Sequence, residues 1–236
     1  MGKLLLSSPP QKDKTIFHRI PVAESMHCRA LHGTSATIRL LSSAFCLGAS
    51  LYSDSSPETT MDKRRVPKLV AFDLDGTIWT PDMYMLWGGG SPFRFVSNEE
   101  LRDSSNAKVK LLGISGEILD TIATEEEWAD TKVAWVSCTD EPSWADECMR
   151  KFKTPMGVPL VDRVQEQCIY KANKQVHFRD LQKRTNIAFE DMIFFDNERG
   201  NINSVGRLGV CSVYCPSGMT RNIWESGLAS WLQQRK

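Results

Sequence analysis

Phe72-Asp73-Leu74-Asp75-Gly76-Thr77 sets two carboxylates two residues apart, just past the apolar run Lys68–Phe72 (KLVAF). Alternation along a strand starts Asp73 and Asp75 on the same side, and a turn at Gly76 leaves both aimed at one pocket. Carboxylates that close repel unless a cation lies between them; a hard divalent ion with oxygen ligands, magnesium being the common choice near phosphate, removes the penalty. An ordinary acidic turn is the plain alternative. A calcium loop of the D-x-D-x-D-G kind does not fit, because Thr77 and Ile78 stand where its third acid and its glycine belong. A second acidic strand end, Phe195-Asp196-Asn197-Glu198 closing the strand MIFFD (Met192–Asp196), favours catalysis over the ordinary turn.

Two such ends matter only if a sheet brings them together. From Val66 onward short apolar runs alternate with helical periods, the pattern of a parallel sheet with helices on both faces. Strands are expected at Lys68–Phe72, Lys132–Ser137, Gln167–Tyr170, Met192–Asp196 and Val210–Tyr214. Helices are expected after Ser115 (Ile118, Leu119 and Ile122 on one face), over Pro142–Phe152, from Asn173 to Thr185, and from Thr220, burying Ile223, Trp224, Leu228 and Trp231. The predicted fold is α/β: a three-layer sandwich around a doubly wound five-stranded parallel sheet, ordered 3-2-1-4-5. In such a sheet ligands bind beyond the carboxyl ends of the strands, where strand order reverses, so the first and fourth strand ends meet at the site.

Residues Trp79 to Lys110, rich in Gly, Ser, Pro and Asn, read as a loop or short hairpin. The 59 residues between the first two strands must also supply a helix, which leaves no room for a large cap domain. Trp79, Trp87 and Phe93 fall where a flap would cover the pocket and are candidates to touch substrate. Trp128, Trp135, Trp144, Trp224 and Trp231 read as core.

Lysine plus arginine balance aspartate plus glutamate at 29 each, so no global field attracts nucleic acid or an anionic membrane. Seven cysteines without a CxxC pair fit neither a disulfide framework nor a zinc site and read as reduced thiols. No run approaches the ~18 consecutive apolar residues of a transmembrane segment. Residues 1–65 are hydroxyl-rich and acid-poor, with small residues in the apolar patch Leu40–Leu51, and read as a leader, either a targeting segment or a plain tail. The domain then covers 66–236. A monomer is expected, cytoplasmic, or in a plastid or mitochondrion if the leader is a transit segment.

DLDGT, a hydroxyl residue at the second strand end (Ser137 in WVSCT), a lysine before the fourth strand (Lys174) and the acidic FFDNE together resemble the four motifs of the haloacid dehalogenase (HAD) superfamily. Trp79 close behind Asp75, Lys174-Gln-Val-His177-Phe178 and FFDNERGNINSVGRLGV are similar to the magnesium-dependent phosphatase 1 family, over about Val66 to Leu232. The resemblance implies Asp73 as nucleophile and phosphoaspartate carrier, Asp75 as acid and base, and Ser137, Cys138, Thr139 and Lys174 around the phosphate. It implies a Mg2+ ion held by Asp73, the carbonyl of Asp75 and the strand end at Asp196 and Asn197. It also implies phosphate monoester substrates, either phosphoproteins (phosphotyrosine included) or sugar-amine phosphates such as fructosamine 6-phosphate. The chain departs from the family's pattern at Gly76 (commonly Tyr, though glycine is the commoner superfamily choice and implies no loss of activity), Asn197 (commonly Asp) and Cys138 (commonly Arg); the last two make a catalytically weak phosphate-binding or regulatory module the alternative. On the residues alone Lys174 reads as a solvated helix lysine, Ser137 and Thr139 as turn caps, His177 as a satisfied structural histidine and Cys138 as a small buried thiol.

Overall fold

The computed structural model describes residues 66–235; the leader expected over 1–65 lies outside the described residues. β1 (Leu69–Phe72) is buried along its whole length, as an all-apolar strand with neighbours on both sides must be. It pairs in parallel with β6 (Lys132–Ser137) on one side and β8 (Met192–Asp196) on the other, so that Phe72 stands between Trp135 and Phe195. β7 (Glu166–Ile169) and β9 (Cys211–Tyr214) complete a sheet ordered β7-β6-β1-β8-β9, which is the expected 3-2-1-4-5.

Strand alternation divides the apolar side chains between two cores. Val70, Phe72, Val133, Trp135, Ile193 and Phe195 face α1 (Ser115–Thr124), α2 (Pro142–Lys151) and α5 (Arg221–Gln233). Leu69, Ala71, Ala134, Val136, Met192 and Phe194 face α3 (Lys174–Thr185) and α4 (Arg199–Gly206). The three layers are therefore helix, sheet, helix. Among the described residues no helix is long and apolar enough to cross a membrane.

Two expectations need correction. Residues 79–111 are more than a loop or hairpin: β2 (Trp79–Thr80), β3 (Arg94–Ser97), β4 (Glu100–Arg102) and β5 (Lys108–Leu111) form a second, antiparallel sheet ordered β2-β5-β4-β3. Strands this short carry little signal, although Lys108-Val109-Lys110-Leu111 does alternate exposed and buried side chains. The expected last helix exists, but only Trp224 and Trp231 of its four apolar residues are fully buried, while Ile223 and Leu228 pack at the margin.

Candidate active site

The carboxyl ends of β1, β6 and β8 open into a cleft of about 540 Å³, bounded on a fourth side by the turn between β7 and α3. The Asp73 amide donates to the Phe195 carbonyl at 2.9 Å, carrying the ladder one step past β1 and fixing the nucleophile strand against the β8 end. Beyond it the chain turns at Gly76, which has a φ of +72°. The left-handed backbone favours glycine, and a β-carbon there would lie 2.2 Å from Asn197 Nδ2, so a larger residue would have to displace the asparagine side chain. Thr77, fully buried, completes the join: its hydroxyl accepts from the Asn197 amide at 3.1 Å and donates to Asn197 Oδ1 at 3.5 Å.

Asp73, Asp75, Ser137, Cys138, Thr139, Lys174 and Asn197 all line the cleft. Asp196 lies beneath them, completely buried, with Oδ1 accepting from the Glu198 amide at 2.7 Å and Oδ2 from Asn201 at 3.0 Å. Lys174 is buried as well, where its position at the start of a helix suggests a solvated side chain. Its ammonium pairs with Asp73, donates to the Val136 carbonyl and stands 3.4 Å from Asp196. Burial disfavours the charge, but Asp73 and Asp196 outweigh it and hold the lysine protonated.

Asp75 receives the Trp79 indole N–H at 2.7 Å. Burial pushes its carboxyl up to about 7, the Trp79 bond pulling it down and the Asp73 charge pushing with the burial. Burial and the Asp73 carboxylate likewise push Asp196 up to about 7, against the pull of Lys174 and its two amide donors. The site thus holds more negative charge than one lysine compensates. Among the described residues no three His, Cys, Asp or Glu side chains converge as a closed metal cage. What the cleft offers is an open set of oxygen donors, the Asp73, Asp75 and Glu198 carboxylates and the Asn197 amide among them. Such a set suits magnesium, which uses one or two carboxylates and keeps water and substrate phosphate as its other ligands.

Ser137 and Thr139 cap their turn, accepting from the amides of Thr139 and Glu141 at 3.3 and 3.1 Å, and also face the cleft. Cys138 is half-buried and donates its thiol to the Ala172 carbonyl at 2.9 Å; burial raises its pKa, so it is a neutral bridge. Of the aromatic residues expected on a flap, Trp79 and Phe93 are core, Trp79 reaching Asp75 from below, and Trp87 is 85% exposed outside the cleft lining. The lining residues from that segment are Asp82, which precedes the single turn Met83–Met85, and Tyr84 within it. Asn201 and Ser204 line the opposite side from α4, a helix whose glycines and asparagines disguise it in the sequence.

The family model described as acid phosphatase matches residues 65–234. Magnesium-dependent phosphatase 1 of Homo sapiens is 32% identical over 167 residues, 71% of this chain and 88% of that protein. A HAD-like hydrolase superfamily protein of Schizosaccharomyces pombe is 27% identical over 149 residues, 61% of this chain and 83% of its own. Among solved structures, a HAD-like family hydrolase from Porphyromonas gingivalis aligns with 72% of this chain and 98% of its own at 16% identity and a TM-score of 0.45. A family match that runs from just before β1 to the end of α5 takes in every element that shapes the cleft, and the chain belongs to the acid phosphatase family of HAD-like phosphatases.

Proposed function

We propose that this cleft hydrolyses phosphate monoesters through a phosphoenzyme formed on Asp73. The observation that carries the reading is the trio at its floor: Asp73 facing the cleft, Asp75 beside it with a carboxyl pushed up to about 7, and a buried Lys174 paired with Asp73. An Asp73 oxygen attacks phosphorus as the ester P–O bond breaks, and Asp75 gives its proton to the departing alkoxide. Asp75, now ionised, takes a proton from the water that attacks the phosphoaspartate, releasing inorganic phosphate and restoring the Asp73 carboxylate. Lys174 neutralises the phosphoryl oxygens throughout, and the Ser137 and Thr139 hydroxyls are placed to donate to them.

Asp73, the Asp75 carbonyl and Asn197, backed by Asp196, would hold magnesium, as the name of the human relative also suggests. When bound, the ion supplies charge neutralisation at a phosphoryl oxygen. Asp196 then serves chiefly as the counter-charge that keeps Lys174 protonated and in place. Among the described residues no large cap covers the cleft, so it admits bulky substrates: phosphorylated side chains of proteins, phosphotyrosine among them, or sugar-amine phosphates.

Phosphate release from 4-nitrophenyl phosphate, with and without magnesium, tests the reading. Asp73→Asn is expected to lower kcat by about 10⁴-fold or more while the circular dichroism spectrum stays that of the wild type, since no other group takes over the covalent step. Wild-type turnover in a folded Asp73→Asn variant would remove the nucleophile assignment.

A further inference from the structure

Lys174 reaches the cleft from a short turn, Tyr170 to Asn173, between β7 and α3. Three hydrogen bonds pin that turn. The Tyr170 amide donates to the Ser137 carbonyl at 3.2 Å, the Cys138 thiol to the Ala172 carbonyl at 2.9 Å, and the His177 ring meets the Tyr170 carbonyl through Nε2 at 3.0 Å. A carbonyl can only accept, so Nε2 carries the ring proton and Nδ1 has none. His177 is completely buried one helical turn after Lys174, with the Tyr170 ring packed edge-on at 4.3 Å between centroids.

Nδ1 finds no hydrogen-bond partner among the described residues. A buried acceptor left without a donor costs about 1–3 kcal/mol. Leucine would fill much the same space without that cost, so packing alone does not account for an imidazole here. What the ring does, and leucine could not, is donate from Nε2 to the start of the turn.

We propose that His177 is a positioning residue for Lys174, its Nε2–H holding the Tyr170–Asn173 turn in the shape that sets the lysine ammonium between Asp73 and Asp196. The inference rests on Lys174 being a phosphoryl ligand. Burial, with the Lys174 charge nearby, pushes His177 down to about 4, so the ring stays neutral and adds no second positive charge beside the lysine. No proton moves at His177 during turnover.

Kinetics with 4-nitrophenyl phosphate, inhibition by inorganic phosphate and thermal melts of the full chain test this in His177→Leu and His177→Gln, each alone and combined with Lys174→Met. Glutamine carries an amide N–H close to where Nε2 sits and is expected to stay within about threefold of wild type, whereas leucine loses about 10–100-fold in kcat/KM, with phosphate inhibition weakened in step. Where Lys174 is already methionine, leucine at 177 is expected to cost nothing further, because two residues that act as one are not additive. Equal losses on both backgrounds, or a folded His177→Gln variant as impaired as a folded His177→Leu, would overturn the proposal. If His177→Leu does not fold, His177→Gln decides: near-wild-type activity supports the clamp, and a tenfold or greater loss in a folded variant removes it. Wild-type turnover in Lys174→Met would instead overturn the reading of Lys174 as phosphoryl ligand, and the clamp with it.

Discussion

Asp75 owes its chemistry to its surroundings. Burial raises it to about 7, the Trp79 N–H lowers it and Asp73 raises it. An acid that must protonate a leaving alkoxide works only while it holds its proton, so kcat for an alkyl phosphate is expected to fall as pH rises through that region. Trp79→Phe removes the donor at 2.7 Å and keeps an aromatic ring against Phe152. The falling limb is then expected to move to higher pH by about one unit, the worth of one hydrogen bond to a charged group at ~1.5 kcal/mol. A limb that stays in place, measured as kcat against pH for glycerol phosphate, would separate Trp79 from Asp75 function. Asp73, Asp75 and Asn197 were legible from the sequence because a strand followed by a turn is local. Lys174 was legible only by resemblance, since what buries it are carboxylates on other strands. Trp79 was misread for the same reason: its neighbours along the chain suggest a flap, and its partners across the fold put it in the core.

At the scale of elements, the five parallel strands and four of the five helices follow from runs and periods of apolar residues, whereas the antiparallel sheet and α4 do not. β2 has two residues and β4 has three, too few for alternation to register. α4 reads RGNINSVG, poor helix-forming material held by its seat against β8 and β9. α5 shows the converse case, a helix whose one glycine is dictated by its partner. A β-carbon on Gly227 would lie 2.9 Å from the Phe195 ring and 3.2 Å from Val213 Cγ2. Phe195 is itself wedged between Phe72 and Trp224, at 5.5 and 5.6 Å between centroids, and has nowhere to yield. Glycine to alanine inside a helix ordinarily stabilises by about 0.5–1 kcal/mol. Here Gly227→Ala is expected to destabilise by about 1–3 kcal/mol as an overpacked core, and a raised midpoint in urea would show that the Phe195 stack is looser than its distances imply.

For the molecule as a whole, the excess of carboxylate around Lys174 links stability to divalent cations. A ligand bound only by the folded state stabilises it by about 2.7 kcal/mol at a hundred times its Kd. For a domain of this size that corresponds to roughly 5–10 °C in melting temperature. Magnesium titrated against the thermal melt is expected to give such a rise in the wild type and little in Asp73→Asn; an equal rise in both would place the ion elsewhere. The same site carries a constraint of another kind. Gly76 is empty where the Asn197 side chain lies, and Thr77 grips that side chain from beneath. The two positions are therefore coupled in one direction: bulk added at 76 must displace the Asn197 side chain, whereas a smaller residue at 197 leaves Gly76 undisturbed, so a redesign of the pair begins at 197.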